Sequence, residues 1–238
     1  EYRIESAELD GYVLECDAIP TPDDGIERHL VCEIRGDVLV GKVEVTMPGN
    51  PDTRTMEVRG RRDRKWGEPV TMLPQEGLEG WSSRDPRREL KWTISDGVLT
   101  NGKGDVDIMS AKRFRDFKMQ LEYKVNEGSN SGIYLRGRYE LQILGNTDVH
   151  PSGNMAVYSR LSPEKNPFRP GEWQSLDVTF IGRWVTVVLN GEVVHDNAYL
   201  DGITGGAIDP WEGEPGPLLL QGDHGKVWFR NIVVTPAE

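Results

Sequence analysis

The amino-acid sequence predicts an all-β protein, and three observations carry that prediction. Short runs of Val, Ile, Leu and Tyr alternate with polar residues at a period of two, the signature of half-buried strands. The 27 glycines and 15 prolines punctuate these runs, in part as Asp-Gly and Asn-Gly pairs that suit tight turns. From Phe114 onward the expected strands follow one another almost without a break.

With 238 residues the chain has room for one large β domain or two, and for a sizeable core. A formal net charge of −11 and a pI near 5.0 argue against nucleic acid or an anionic membrane as partner, because both reward basic surfaces. No run of roughly 18 apolar residues occurs, so no membrane span is expected. The chain opens without Met, inside an expected strand, and shows no signal peptide; it reads as a mature or trimmed protein.

Residues 1–58 read as a small β module of short strands joined by turns at residues 20–25, at Arg35-Gly36-Asp37 and at residues 47–51. Cys16 and Cys32 both fall on the apolar parity of their strands. They either face each other across a hairpin as a disulfide or sit as two small buried hydrophobes. Residues 59–65 form a basic run in an acidic chain and read as a solvated linker. Residues 66–238 make the larger domain.

Within that domain Asp96-Gly97 joins two strands. Phe117, Met119, Leu121 and Tyr123 then mark the apolar face of a long strand. Residues 146–171 form a long irregular segment of the kind that often carries function. It holds His150, which is a ligand, a base or merely an exposed loop residue. Ile181-Gly182-Arg183 and Asn190-Gly191 read as turns between strands, and His195, next to Asp196, reads as a surface residue. The Gly-rich stretch 202–216 is no phosphate cradle, since no helix follows it.

The stretch from Ser129 to Ile143 organises the domain. Ile133, Leu135, Tyr139, Leu141 and Ile143 give it an apolar side; Tyr134, Arg136, Arg138, Glu140 and Gln142 give it a polar one, with a bulge or bend expected at Gly137. A solvated strand explains this pattern as well as a site lining does.

Ordered motifs run through the larger domain: Gly80-Trp81, Asp96-Gly97-Val98-Leu99, Asn130-Ser131-Gly132-Ile133-Tyr134, Tyr139-Glu140-Leu141-Gln142, Glu172-Trp173-Gln174, Gln221 with His224-Gly225, and Phe229-Arg230-Asn231-Ile232. Together they resemble the 3-keto-disaccharide hydrolase domain family over roughly Trp66 to Pro236. The resemblance implies a concanavalin-like or laminin-G-like jelly-roll sandwich of two antiparallel sheets with a ligand site on its concave face. It also implies cleavage of glycosides already oxidised to a ketone at C3, by hydrolysis or elimination, and export to the periplasm or beyond. The family's Gln-x-His-Gly is one residue longer here, as Gln221-Gly222-Asp223-His224-Gly225.

The residues suit such chemistry. A conventional glycosidase needs two carboxylates across the bond, yet the polar face offers only Glu140, with Gln142 where a second acid belongs. A C3 ketone acidifies the C2 proton, so one base and a stabilised enolate suffice. His224 or Glu140 is the expected base; Arg136 and Arg230 are expected to steady the enolate. Gln142, Gln221 and Arg138 are expected to bind hydroxyls, and Tyr134 or Trp228 to offer a ring face. Glu140 and His224, with His150 as third ligand, also supply donors for a divalent cation. Two readings compete with the enzyme: a non-catalytic carbohydrate-binding module and a structural adhesion domain.

Overall fold

The computed structural model describes residues 2–10, 13–20, 26–47, 49, 52–61, 64–102 and 104–238, the side chains at 2–10, 16–20, 27 and 61 lying outside the description. Contacts divide the chain into two compact units, Glu1–Arg64 and Lys65–Glu238. No helix occurs among the described residues.

The first unit is an antiparallel meander of β1 (Tyr2–Asp10), β2 (Val13–Pro20), β3 (Glu27–Arg35), β4 (Val38–Thr46) and β5 (Thr53–Arg61), paired in chain order. The Arg35-Gly36-Asp37 turn joins β3 to β4 with Arg35 opposite Val38. Cys32 is buried and stands opposite Leu14. The Cys16 side chain lies outside the described residues, and with it the choice between a disulfide and two buried hydrophobes. Within the basic run, Arg59 and Arg61 belong to β5, and Arg64 Nε donates to both Asp37 carboxylate oxygens, at 2.8 and 3.0 Å.

The second unit is a sandwich. Its strands are β6 (Val70–Thr71), β7 (Trp81–Ser83), β8 (Thr93–Ser95), β9 (Val98–Thr100), β10 (Ile108–Phe114), β11 (Phe117–Val125), β12 (Asn130–Leu135), β13 (Tyr139–Leu144), β14 (Gln174–Ile181), β15 (Trp184–Leu189), β16 (Glu192–Tyr199), β17 (Gly216–Leu220) and β18 (Val227–Pro236). One sheet has five strands in the order β13-β12-β17-β10-β7. The other has eight, β16-β15-β14-β11-β18-β9-β8, with β6 also pairing with β18. All pairings are antiparallel, the jelly-roll arrangement that the resemblance implied. Asp96-Gly97 and Asn190-Gly191 turn their hairpins with positive φ at both residues, as two-residue turns matched to strand twist require.

The inner faces of the two sheets build the core. Phe117, Met119, Leu121, Tyr123 and Val125 alternate inward along β11, while Lys118, Gln120, Glu122 and Lys124 point away. Ile133, Leu135, Leu141 and Ile143 of the β12–β13 hairpin, with Leu218 and Leu220 of β17, supply the facing layer. Phe114, Phe117, Phe180 and Tyr139 stack edge-on at centroid separations of 5.2–6.0 Å. Such pairs add roughly 0.5–1.5 kcal/mol beyond their area burial.

His195 is not a surface residue. Bulges between β15 and β16 break the alternation and place both Val194 and His195 inside, His195 at 2% exposure. Its Nε2 lies 2.7 Å from the Met155 carbonyl oxygen, which can only accept, so Nε2 carries the proton. Burial depresses its pKa and keeps the ring neutral. His195 thereby anchors the 146–161 segment, and that segment borders the site.

Candidate active site

The outer face of the five-stranded sheet gathers an unusual set of polar side chains. On β12 and β13, Tyr134 stands opposite Glu140 and Gly132 opposite Gln142. Gln221 extends β17 past Gly132, its amide donating to the Gly132 carbonyl at 2.9 Å. Asp107, just ahead of β10, comes alongside Gln221, because Ile108 pairs with Leu220. Arg84, just beyond β7, reaches the Asp107 carboxylate at 3.0 Å.

Glu140 is the centre of the set, only 4% exposed. Its carboxylate lies flat over Gly132: a Cβ at that position would come within 2.5 Å of Oε1. Glycine is required there by close approach. The backbone beneath is fixed along its free edge. The Glu140 amide donates to Thr204 Oγ1 at 2.9 Å, and its carbonyl accepts from the Tyr158 amide at 3.0 Å. Gln142 exchanges two backbone bonds with Met155 and Ala156, so residues 155–158 run as an extra edge beside β13. Burial raises the Glu140 pKa to about 7. The Tyr134 phenol lowers it against that trend, and the Asp107 carboxylate raises it further, with smaller opposing effects of His224 and Asp223. A carboxyl of this kind is poised to take or give a proton near neutrality. The Tyr134 hydroxyl sits between Glu140 and the Gly205 carbonyl, to which it donates at 3.2 Å; burial and Glu140 both push its pKa up, so it stays a phenol.

His224 stands in the loop after β17, half-exposed, with Nδ1 on the Asp223 carboxylate. That bond fixes the ring and leaves Nε2 as the nitrogen that exchanges a proton. The side-chain oxygens of Asn130, Gln142 and Gln221 are buried and have no hydrogen-bond partner among the described residues. Buried acceptors left unpaired are costly. Hydroxyl donors from a ligand would satisfy all three.

Five expected site residues are corrected. Arg136 and Arg138 share the parity of Glu140 in sequence, but residues 136–138 form the hairpin turn, where alternation ends. Arg136, 1% exposed and at φ 53°, turns toward the β14–β15 turn, donates to the Gly182 carbonyl and stacks on Phe180 at 4.3 Å. Arg138 spends its donors on Asp209 (2.6 and 2.9 Å) and on the Arg136 and Glu214 carbonyls. Trp228 and Arg230 do alternate outward, but from the eight-stranded sheet, on the far side of the sandwich from Glu140. There Arg230 forks onto Glu122 at 2.9 Å and lies over Trp173 at 4.1 Å. His150 is exposed, with its Nδ1 accepting from the Ser152 amide at 3.2 Å, and is not among the charged groups that act on Glu140. The three-ligand cation site of Glu140, His224 and His150 therefore does not assemble, and the described residues contain no group of three or more His, Cys, Asp or Glu that could hold a metal ion.

Arg84 and Asp107 escape a reading by periodicity because β7 has three residues and Asp107 precedes its strand. The Val106-Asp107-Ile108 alternation was the available signal for Asp107. Arg138 matters differently. Together with the Tyr139–Glu212 bond and the 3.0 Å Arg183–Glu212 pair it holds residues 204–212 against the hairpin. That loop supplies Thr204 to Glu140 and Gly205 to Tyr134.

Fold and site together define a jelly-roll β-sandwich with a protonatable carboxyl and buried, unpaired amide oxygens on its smaller sheet. Residues 68–235 match the model of the 3-keto-alpha-glucoside-1,2-lyase-like domain, and the chain belongs to that family. It is 25% identical over 166 residues to a 3-keto-disaccharide hydrolase of Bacteroides thetaiotaomicron, an alignment covering 53% of this chain and 54% of that protein. The chain thus spans about half the length of this relative. A structure from Parabacteroides distasonis classed as a candidate glycosyl hydrolase superposes with a TM-score of 0.59 at 28% identity, over 70% of this chain and 82% of that one. A second from the same organism gives 0.57 at 20% identity, over 70% and 92%, and speaks to the fold alone.

Two outcomes follow. Because the folded pKa of Glu140 lies above its unfolded value near 4.5, the folded state binds the extra proton between those values. The associated stability is present at low pH and lost as pH rises toward 7. Denaturant melts should show wild type losing about 2 kcal/mol between pH 5 and pH 8 relative to Glu140→Gln; parallel curves would contradict the raised pKa. Arg138→Met should cost about 3 kcal/mol and lower the Tm by roughly 6–12 °C, checked by calorimetry.

Proposed function

We propose that the chain cleaves the glycosidic bond of 3-keto-glycosides by removing the C2 proton and expelling the C1 substituent. The carrying observation is Glu140, the one buried carboxyl on this face with a pKa near neutrality. The second carboxylate, Asp107, is engaged through both oxygens, Oδ2 by Arg84 at 3.0 Å and Oδ1 by the Gly222 amide at 3.2 Å. A conventional pair of free acids is therefore lacking on this face, and a reaction that needs one base suits it better.

In this reading the Gln142, Gln221 and Asn130 oxygens accept hydroxyl hydrogens and orient the oxidised ring. Ionised Glu140 takes the C2 proton, and the C–H electrons move toward C2–C3 as the C3 carbonyl becomes an enolate. Arg84, the guanidinium on this face, stabilises that oxygen in place of Arg136 and Arg230. The enolate then reforms the C3 carbonyl, C1=C2 forms, and the C1–O bond breaks with its electron pair leaving on oxygen. His224, oriented by Asp223, gives that oxygen its proton. Addition of water across C1=C2 would complete net hydrolysis.

Incubation with a 3-keto-disaccharide in D2O should release the unsaturated keto-sugar, which has no hydrogen at C2, or 3-ketoglucose carrying deuterium at C2. Glu140→Gln should cut turnover by about 100-fold or more, whereas Trp228→Ala and Arg230→Met, altered on the far sheet, should stay within about twofold. Saturable binding of a plain oligosaccharide without turnover would favour a binding module instead. Wild-type turnover in both Glu140→Gln and His224→Ala would overturn the assignment.

A further inference from the structure

Asn101 directly follows β9, is 2% exposed, and engages both ends of its side-chain amide. Nδ2 donates to the Gly222 carbonyl at 2.9 Å and to the Gly225 carbonyl at 2.6 Å. Oδ1 accepts from the Val227 amide at 3.0 Å, at the start of β18. These partners fix the orientation of the amide: only its oxygen can accept from Val227, and only its NH2 group can serve two carbonyls. The two carbonyls flank Asp223 and His224, so one nitrogen closes the loop that carries both residues.

Close approach holds the same two ends. A Cβ on Gly222 would come within 2.5 Å of the Val106 carbonyl oxygen, and one on Gly225 within 2.7 Å of the Asn130 amide nitrogen. The tip between them is exposed, with Asp223 and His224 joined through Nδ1. A cavity of about 290 Å³ lies beside the loop, lined by Asn101, Gly102, Gly104, His224 and Lys226. Packing leaves the tip room on that side, and the Asn101 amide supplies restraint. An aspartate at 101 would have no donor for the carbonyls, and a leucine would leave three backbone groups unpaired.

Resting on the proposed role of His224 as acid, we infer that Asn101 is a positioning residue: it sets the Asp223–His224 pair so that Nε2 faces the departing oxygen. It transfers no proton itself. A reacting group misplaced by about 1 Å can lose about 100-fold in rate, so a buried amide behind the loop governs the transfer.

The test removes the clamp and separates aim from stability. The Asp223 carboxylate only accepts, so neutral His224 holds its proton on Nδ1, a tautomer that long-range 1H–15N spectra should show in wild type. Asn101→Ala should move His224 toward the Nε2–H form and leave the His195 signal unchanged. Turnover of a 3-keto-disaccharide, whose leaving sugar needs a proton, should fall about tenfold with KM within about twofold. A p-nitrophenyl 3-keto-glucoside, whose leaving group departs as a stable anion, should lose less than about twofold. Thr100→Val, which removes the neighbouring 2.8 Å bond to the Val227 carbonyl, should change neither readout. Asn101→Ser keeps one donor, guards against a fold lost in the alanine variant, and should show the same selective loss at smaller amplitude. An unmoved His224 tautomer in the Asn101 variants, equal losses on both substrates, or the same defect in Thr100→Val would each overturn the positioning role. Absence of turnover in wild type with the tautomer shift intact would count against the reaction and leave the clamp standing.

Discussion

The constraint on which the site depends is the burial of one carboxyl on a hairpin whose other face is already core. Tyr139, Leu141 and Ile143 pack inward with almost no exposure, so β13 has no freedom to rotate or slip. Glu140 and Gln142 must then point outward, and residues 155–158 and Thr204 close over them along the strand's free edge. Water is excluded from a group that would otherwise ionise near pH 4.5, and its proton affinity rises accordingly. Gly132 permits this, since any larger residue would push the carboxylate away from the sheet. The perturbed acid is a consequence of packing, imposed by residues that touch no ligand.

The same packing explains why the arginines divide as they do. A guanidinium is costly to bury unless its donors are used. Arg138, buried, is fully committed to Asp209 and two carbonyls and serves as the latch that keeps the 204–212 loop in place. Arg136, buried without a carboxylate in contact, is held by one carbonyl and by aromatic faces, and burial depresses its pKa. Arg84, one-third exposed and anchored on one side by Asp107, keeps part of its fork available to a ligand. Availability, rather than charge alone, distinguishes a guanidinium that can meet an enolate from one that holds a turn.

Much of the fold was legible in the sequence because turn chemistry and alternation agree there. Asp96-Gly97 and Asn190-Gly191 can turn in few ways, and β11 alternates without interruption for nine residues. Tyr134, Glu140 and Gln142 were legible for the same reason, being flanked by unbroken apolar partners. Period two, however, reports a face and not a sheet. Trp228 and Arg230 have the correct parity but sit on the other layer, a fact fixed by the pairing of β18 with β11 some hundred residues away in sequence. Parity also fails at irregularities: the turn at residues 136–138 misplaced Arg136 and Arg138, and the bulges beside β16 concealed that His195 is buried. Arg84 and Asp107 belong to segments too short to show any period.

The arrangement bears on what kind of substrate the site can process. Asp107 gives one oxygen to a guanidinium and the other to a backbone amide, and release of either would leave a donor on this face unpaired. Glu140 is thus the carboxyl left to move a proton, and a lone base cannot by itself cleave an unactivated glycosidic bond by the two-acid route. The missing activation has to come from the substrate. In the proposed reaction a ketone next to the acidic carbon would supply it, which would place an oxidation of the sugar at C3 before this reaction and a handling of the keto-sugar after it. In the proposed mechanism the site's scarcity of free acids and its surplus of buried amide oxygens serve one end: the protein holds and deprotonates a ring made reactive elsewhere.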